Sequence, residues 1–149
     1  MKLGEIVLQF TSEPRCFCVI RAAAEAAALA CELGPTEASQ VKLAVTEALA
    51  NVARHGYKGK PDQPICVRLA PAQNGPQRGL TIEIEDECQN VDLRQIKGRP
   101  LTEIRPGGLG VHIIREMMDH VEYSQRSNGH GVCLRMSKFA ATKSPAQEE

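Results

Sequence analysis

The chain has few aromatic residues and no net charge, and both shortages narrow what it can bind. Its 149 residues include no tryptophan, two tyrosines and three phenylalanines, so the aromatic platforms on which single-stranded nucleic acids stack are missing. The 18 Lys plus Arg residues balance the 18 Asp plus Glu residues, which leaves no net positive field to attract a phosphate backbone or an anionic membrane. We therefore expect no direct nucleic-acid binding and no membrane association.

The sequence also lacks a long apolar run and the cysteine spacing of a zinc site. Glu5 and Gln9 interrupt the apolar N-terminal stretch, and no segment approaches the roughly 20 apolar residues of a membrane span. The six cysteines, at positions 16, 18, 31, 66, 88 and 133, include no C-x-x-C pair. Without a signal peptide such cysteines are expected to be reduced thiols, so the sequence predicts a cytoplasmic protein.

The length and the 42% content of hydrophobic residues fit one domain with an aliphatic core. We expect this domain over residues 1–140, followed by a flexible polar tail over residues 141–149. Three helices are predicted. The first covers the alanine-rich residues 14–33. Thr36 should cap the second, which runs to residue 56 with apolar side chains at positions 41, 44, 45, 48, 49 and 52. The third should cover residues 109–120.

Alternating apolar and polar residues predict about five strands. A first strand is expected over residues 3–10. Two antiparallel hairpins should follow: residues 65–70 and 80–85 flank Asn74-Gly75, and residues 121–127 and 131–139 flank Asn128-Gly129. Together with the helices, these strands predict an α+β fold, a two-layer sandwich in which a mostly antiparallel sheet carries about three helices on one face. Two hairpin connections disfavour a doubly wound parallel sheet.

Candidate functional side chains are concentrated on the second predicted helix. Glu47, Asn51 and His55 are spaced four residues apart, so they can face one cleft together. Taken alone, this stripe fits an ordinary solvated helix face equally well.

Two further features follow along the chain. Asp86 ends a predicted strand and opens a loop over residues 86–110, with a possible short helix at 92–96, and loops that long are usually functional. Glycines at 107, 108 and 110 stand at the start of the third helix, where backbone N–H groups and the helix dipole can hold phosphate oxygens.

Three segments in chain order resemble known sequence boxes. Glu47-x-x-x-Asn51-x-x-x-His55-Gly56-Tyr57, Ile84-Glu85-Asp86 and Gly107-Gly108-Leu109-Gly110 are similar to the N, G1 and G2 boxes of the ATPase superfamily of gyrases, heat-shock chaperones, histidine kinases and mismatch-repair proteins. Within it the chain most resembles the bacterial anti-sigma-factor serine/threonine kinases, in which segments like LAVTEALANVARHGYKG and GGLGVHIIREMMDHVEY are typical. The resemblance extends from the first strand to the last hairpin and implies a histidine-kinase-like ATPase fold with ATP and Mg²⁺ as cofactors.

The resemblance also implies roles for single residues. Asn51 would bind the Mg²⁺ that bridges the ATP phosphates, and Glu47 would orient the attacking hydroxyl and accept its proton. Asp86 would accept a hydrogen bond from the adenine amino group. Gly108 and Gly110 would let the backbone approach the phosphates.

Other polar residues carry weaker expectations. Arg105 could offset developing phosphate charge, but an ordinary surface arginine is at least as consistent with the sequence. His55 and Tyr57 should shape the pocket rather than react. His112, His120 and His130 form no convincing ligand set, so no metal other than ATP-linked Mg²⁺ is expected.

The chain departs from the family pattern at the G1 box. Where the family usually has D-x-G-x-G, this sequence reads Asp86-Glu87-Cys88-Gln89-Asn90, so both glycines are replaced. If the loop still needs positive φ, Asn90 adapts readily but Cys88 would cost on the order of 1 to 2 kcal/mol. The loop could instead follow another path. The part of the predicted site that would bind adenine therefore differs from the family pattern.

Three functions remain open on these grounds. The first is an ATP-dependent kinase that phosphorylates an anti-anti-sigma (STAS-type) protein and sequesters a sigma factor. The second is a non-catalytic regulatory module of the same fold with weakened or lost ATP binding. A detached sensor-kinase catalytic domain is disfavoured because the chain has no phosphoacceptor helix. The resemblance and the apolar N-terminal strand also predict a homodimer.

Overall fold

The computed structural model of the chain describes residues 3–89, 93, 109–126 and 130–141. These residues form one five-stranded sheet and three α-helices, so the predicted α+β architecture is confirmed. In chain order the elements are β1 (Ile6–Thr11), α1 (Pro14–Ala30), α2 (Pro35–Asn51), a π-helical turn (Val52–Gly56), β2 (Pro64–Asn74), β3 (Gln77–Asp86), α3 (Leu109–Met117), β4 (His120–Gln125) and β5 (Val132–Phe139).

The sheet is antiparallel throughout and has the strand order β1-β2-β3-β5-β4. Both predicted hairpins are present. The strands of the first are longer than predicted, because β2 and β3 stay paired up to Asn74 and Gln77 beside the turn. The second predicted turn, Asn128-Gly129, and the possible short helix at 92–96, apart from Leu93, lie outside the described residues.

One face of the sheet forms the core with the helices. Side chains of β2, β3 and β5 alternate along each strand, so Val67, Ile82 and Met136 all point inward and are fully buried. They share one cluster with Val45 of α2 and Ile114 of α3. Because α2 packs against both α1 and α3, it is the central helix of the helical layer.

Local signals misplaced the start of the second helix and the end of the first. The start of α2 is one residue before the predicted cap: Gly34 is the N-cap, Pro35 is the first helical residue, and Thr36 lies inside the helix. Proline suits that position because its fixed φ is helical and its missing N–H would have no partner there. The first helix ends at Ala30 rather than at residue 33, and Glu32 follows with φ of 66°.

The continuation of the second helix to residue 56 is π-helical rather than α-helical. The Tyr57 N–H donates to the Val52 carbonyl at 2.8 Å, five residues back. Such wide turns are rare and frequently occur at functional sites.

The third helix ends at Met117 and not at residue 120, because its last carbonyl is bonded to the sheet. Lys138 of β5 is buried and donates from Nζ to the Met117 carbonyl at 2.7 Å. The Asp119 N–H donates to the Ser137 carbonyl at 2.9 Å, so β4 begins directly afterwards at His120. A lysine at this end also interacts favourably with the helix dipole.

The other face of the sheet is polar. Arg68, Glu83, Arg135 and Glu122 stand opposite one another on four adjacent strands, so opposite charges alternate across the sheet. This polarity explains why a sheet with helices on one side needs no second helical layer. Within the described part of the chain, no helix is both long and apolar enough to cross a membrane.

Candidate functional site

The ends of α2 and α3 bring together three of the predicted site residues. Glu47 and Asn51 are half-buried on the last two turns of α2. Gly110, the second residue of α3, lies directly against both: a Cβ at this position would be 3.0 Å from Glu47 Oε2 and 3.2 Å from Asn51 Oδ1 and Nδ2. The close approach explains why glycine is needed here, since a larger side chain would occupy the space beside both polar groups.

Core packing holds this arrangement in place. Ala44 and Ala48 of α2 are buried, as are Val111 and Ile114 of α3. Small residues on α2 let α3 lie close to it, and the two buried α3 residues fix which side of that helix faces the core. Glu47 and Asn51 therefore share an edge of α2 that α3 reaches with its first turn.

Asp86 is the last residue of β3, the central strand of the sheet. It is only 6% exposed, because residues 82, 84 and 86 alternate onto the buried face. Its Oδ1 accepts hydrogen bonds from the Cys88 N–H at 2.9 Å and from the Val132 N–H at 3.1 Å. A buried carboxylate needs such donors, and these two bonds fix its position.

Cys88 does not adopt the backbone conformation that the family pattern would require of it. Among the described residues the non-glycine positions with positive φ are Glu32, Lys58 and Asp62, so the expected strain at Cys88 is absent and the loop takes a different path. The thiol is 4% exposed. Burial, followed by the charge and a hydrogen bond of Asp86, raises the pKa of this thiol to about 12.

Gly56 gives Cys88 the space it occupies. A Cβ at position 56 would be 2.5 Å from Cys88 Sγ, so the thiol packs directly on the end of the π-helical turn. The segment after β3 is thereby joined to the end of the helix that carries Asn51.

Tyr57 makes a second connection between the same two segments. Its hydroxyl donates to the Pro64 carbonyl at 2.5 Å and accepts from the Glu87 N–H at 2.7 Å. The sequence indicated that Tyr57 shapes the pocket but gave no sign of these partners, which lie 7 and 30 residues away. Burial is the main reason that the pKa of Tyr57 rises to about 12.

These raised pKa values predict a loss of stability at alkaline pH. Tyr57 and Cys88 have ordinary values of 10.0 and 9.0 and folded values of about 12. The folded state therefore retains protons that the unfolded state has released, and the stabilisation is complete below pH 9 and is lost as pH rises from 9 to 12. Tyr57→Phe should lower the free energy of unfolding at pH 7 by about 1 to 3 kcal/mol, because two partly buried hydrogen bonds of its hydroxyl are lost, and should flatten the alkaline decline above pH 10.

Urea titrations at several pH values measure both effects. Tyr123→Phe removes the same atom from a tyrosine elsewhere in the chain and serves as the control for the change at pH 7. An unchanged stability of Tyr57→Phe at pH 7 would contradict the bridging role of the hydroxyl.

Two further predicted site residues, Arg105 and Gly108, lie outside the described residues, as does Asn90. His55 is exposed on the π-helical turn.

A trio of metal-type ligands, Glu83, Glu85 and Cys133, lies on the polar face of the sheet. Arg68 pairs with Glu85 at 2.9 Å, and Arg135 pairs with Glu83 at 3.8 Å. These cations already balance the two carboxylates, so the two glutamates belong to an ion-pair network.

Asn51 fits Mg²⁺ as a ligand. Its Oδ1 is an oxygen donor, which this hard cation prefers. The missing side chain at position 110 leaves space beside this oxygen. Mg²⁺ generally keeps several waters and takes only one or two protein ligands, so a single protein oxygen at this point is sufficient.

Comparison with known proteins identifies the family of the chain. Residues 10–138 match the family described as "Histidine kinase-like ATPase domain". The chain therefore belongs to that family, and within it to the bacterial anti-sigma-factor serine kinases.

Relatives in this group share 30 to 33% sequence identity with the chain. The anti-sigma F factor of Heyndrickxia coagulans is 30% identical over 148 residues, covering 94% of this chain and 95% of the relative. That of Clostridium acetobutylicum is 33% identical over 122 residues, covering 76% and 80%. Serine-protein kinase RsbW of Bacillus pumilus is 30% identical over 113 residues, covering 69% of this chain but only 65% of the relative. The alignment thus spans less than two thirds of that kinase.

Two solved structures share the fold. The RsbU and RsbW domains of a Mycobacterium tuberculosis protein superpose with a TM-score of 0.62 at 12% identity, covering 94% of this chain and 34% of that one. The SiaB-SiaC complex of Pseudomonas aeruginosa gives a TM-score of 0.57 at 16% identity, covering 90% and 89%. At these identities the likeness concerns the fold alone.

Proposed function

We propose that the protein is an ATP-dependent serine/threonine kinase that phosphorylates an anti-anti-sigma (STAS-type) protein and, as an anti-sigma factor, sequesters a sigma factor. The observation that carries this proposal is the convergence of Glu47, Asn51 and Gly110 at the junction of α2 and α3. The names of the relatives as serine-protein kinase and anti-sigma factor support it. A cytoplasmic location remains part of the proposal.

In the proposed reaction, the residues of the chain position the reactants. Asn51 would hold Mg²⁺, which supplies compensation for the phosphate charge when bound. Glu47 would accept the proton of the substrate hydroxyl while that oxygen bonds to the γ-phosphorus and the bond to ADP breaks. Asp86 would receive the adenine amino group.

The start of α3 would bind the phosphates of ATP. The absence of a side chain at Gly110 lets the backbone approach them, and we assign the same role to Gly108 and a charge-compensating role to Arg105. Positioning and charge stabilisation account for most catalysis of phosphoryl transfer, so this site needs no covalent intermediate.

A two-stage experiment tests the proposal. MgATP is first titrated into the pure protein by calorimetry, and ATP labelled in the γ-phosphate is then added together with an anti-anti-sigma (STAS-type) protein from the same organism. We expect saturable binding and transfer of label to a serine or threonine of the partner. Binding without transfer, or no binding, would contradict the kinase activity.

The second candidate function is a regulatory module of the same fold that acts by sequestration alone. It is favoured by the G1 segment, where Cys88 stands in place of glycine, is buried, and donates its N–H to Asp86 Oδ1. If the protein captures its partner but does not bind MgATP, this second function would be established in place of the kinase activity.

The predicted homodimer has its own test. Ile6, Leu8 and Phe10 of β1 pack against the core, whereas Val7 is 46% exposed on an edge strand. We expect light scattering to give about twice the monomer mass of 16.2 kDa. Val7→Lys should shift the particles toward the monomer, and Val19→Lys, at an exposed valine of α1, is the matched control. A 16.2 kDa particle at every accessible concentration would remove the prediction.

A further inference from the structure

One arginine contacts all three acidic residues at the end of β3. Glu85, Asp86 and Glu87 follow one another in the sequence. The Arg126 guanidinium lies 3.5 Å from Glu85 Oε2 and 3.7 Å from Glu87 Oε1. It also donates from Nη1 to the Asp86 carbonyl oxygen at 3.4 Å. A single cation therefore spans the segment that carries Asp86.

The second hairpin brings Arg126 to this position. Arg126 follows Gln125, the last residue of β4, and its N–H donates to the Gly131 carbonyl at 3.1 Å. Gly131 allows the hairpin to approach β3 closely, because a Cβ at this position would be 2.0 Å from the Asp86 carbonyl oxygen. The Arg126 side chain thus reaches β3 past the start of β5, and only 25% of it is exposed.

The charges at the end of β3 are nearly balanced because Arg126 is there. Three consecutive carboxylates are met by two guanidinium groups, since Arg68 also pairs with Glu85 at 2.9 Å. One negative charge then remains uncompensated within this group, and Asp86 alone would be sufficient to account for it. Removal of Arg126 would leave two. Because this segment is partly buried, solvent and salt would screen the additional charge less than on an open surface.

The two ion pairs of Arg126 contribute little to stability by themselves. Glu87 is 58% exposed, and exposed pairs of this kind are worth little in a folded protein. A charge beside a binding site acts on the ligand as well, because an anion is repelled by uncompensated carboxylates. A nucleoside triphosphate is such an anion.

We propose that Arg126 adapts the acidic end of β3 to an anionic ligand, because its guanidinium offsets negative charge that would otherwise weaken the binding of a nucleoside triphosphate beside Asp86. The inference rests on the proposed function, in which Asp86 receives the adenine amino group. Arg126 acts through the carboxylates that it contacts, so it is a positioning residue and not a catalytic one.

Calorimetry at two salt concentrations isolates the effect of charge. MgATP is titrated into wild type, Arg126→Gln, Arg126→Lys and the double variant Arg126→Gln with Glu87→Gln. Each titration is made at about 0.01 M and at about 1 M salt, where charges act over about 30 Å and about 3 Å. Arg78→Gln is the matched control, because Arg78 also forms an ion pair, with Glu32, but at the opposite end of β3.

We expect Arg126→Gln to bind MgATP about three- to tenfold more weakly than wild type at low salt, and less than about twofold more weakly at high salt. Arg126→Lys keeps the charge and should stay within about twofold of wild type. In the double variant, the loss of one negative charge at position 87 should restore most of the affinity. Arg78→Gln should resemble wild type at both salt concentrations.

Salt dependence and rescue separate charge compensation from a purely structural role. An equal loss of affinity at both salt concentrations, or a loss that Glu87→Gln does not reverse, would overturn the inference. If Arg126→Gln does not fold, Glu87→Gln alone carries the test: it should tighten MgATP binding about two- to fivefold at low salt only, and unchanged affinity would overturn the inference.

The wild-type titration distinguishes this inference from the proposed function. If wild type binds MgATP and Arg126→Gln binds it equally well at low salt, the role of Arg126 is overturned while the proposed function stands. If wild type binds no MgATP at either salt concentration, both are overturned.

Discussion

Replacing Glu47 by glutamine should lower phosphoryl transfer by roughly 10² to 10⁴ while leaving MgATP affinity nearly unchanged, the usual effect of losing a positioned acid or base. Glutamine has the shape of glutamate, so the packing of Gly110 against position 47 is retained. What is lost is the group that accepts the proton of the attacking hydroxyl. The ground-state complex with nucleotide does not depend on that group.

Single-turnover transfer of labelled phosphate and calorimetric titration of MgATP measure the two quantities separately. Glu116→Gln, which neutralises an exposed carboxylate on α3, is the control and should leave both unchanged. Equal transfer rates in wild type and Glu47→Gln would show that another group accepts the proton.

Asn51→Ala is expected to act on binding itself. Removing a group that merely orients a metal ligand typically costs about 10- to 100-fold in metal affinity, so removing the ligand oxygen should weaken MgATP binding by about a hundredfold or more. Metal-free ATP should bind wild type and variant alike. The ratio of the two affinities thus reports the metal contact rather than a general loss of fold.

Calorimetry with and without Mg²⁺ makes this comparison, with Gln40→Ala as control because Gln40 is another half-buried amide on the same helix. Phosphoryl transfer should fall together with binding, since positioning and charge compensation are lost at once. Should Asn51→Ala and Glu47→Gln both bind MgATP as tightly as wild type, this edge of α2 is not the nucleotide cleft.

Local patterns in the sequence were sufficient for the architecture. The apolar repeat that includes Val41, Val45 and Leu49 has the period of a helix, and those residues form its buried face. The turn at Asn74-Gly75 identified the first hairpin. Such features depend on neighbours within a few residues, which one sequence displays directly.

The errors arose where two local signals competed or where the deciding partner was distant. Gly34-Pro35 and Thr36 both signal a helix start, and proline at the first helical position prevailed. The end of α3 depends on Lys138, which is 21 residues beyond Met117. No spacing rule connects such positions.

In the candidate site, too, local patterns predicted some features, whereas distant partners decided others. The four-residue spacing of Glu47 and Asn51 predicted a shared helix edge, and the structure places Gly110 against both. The buried path of Cys88 could not be predicted from its identity, because the space it fills is created by Gly56 on another segment. Tyr57 likewise acquires its bridging role only when the ends of β2 and β3 meet the end of the helix.

Residues Val52–Gly56 form a π-helical turn. The number of residues in this segment therefore matters more for the structure than which residues they are. A deletion of one residue there would let the chain continue as an α-helix, in which each residue advances by about 100°. Every later position would then be rotated by about that angle, and Gly56 and Tyr57 would no longer meet Cys88 and Glu87. Substitutions in this stretch should therefore be tolerated far better than the loss of a single residue.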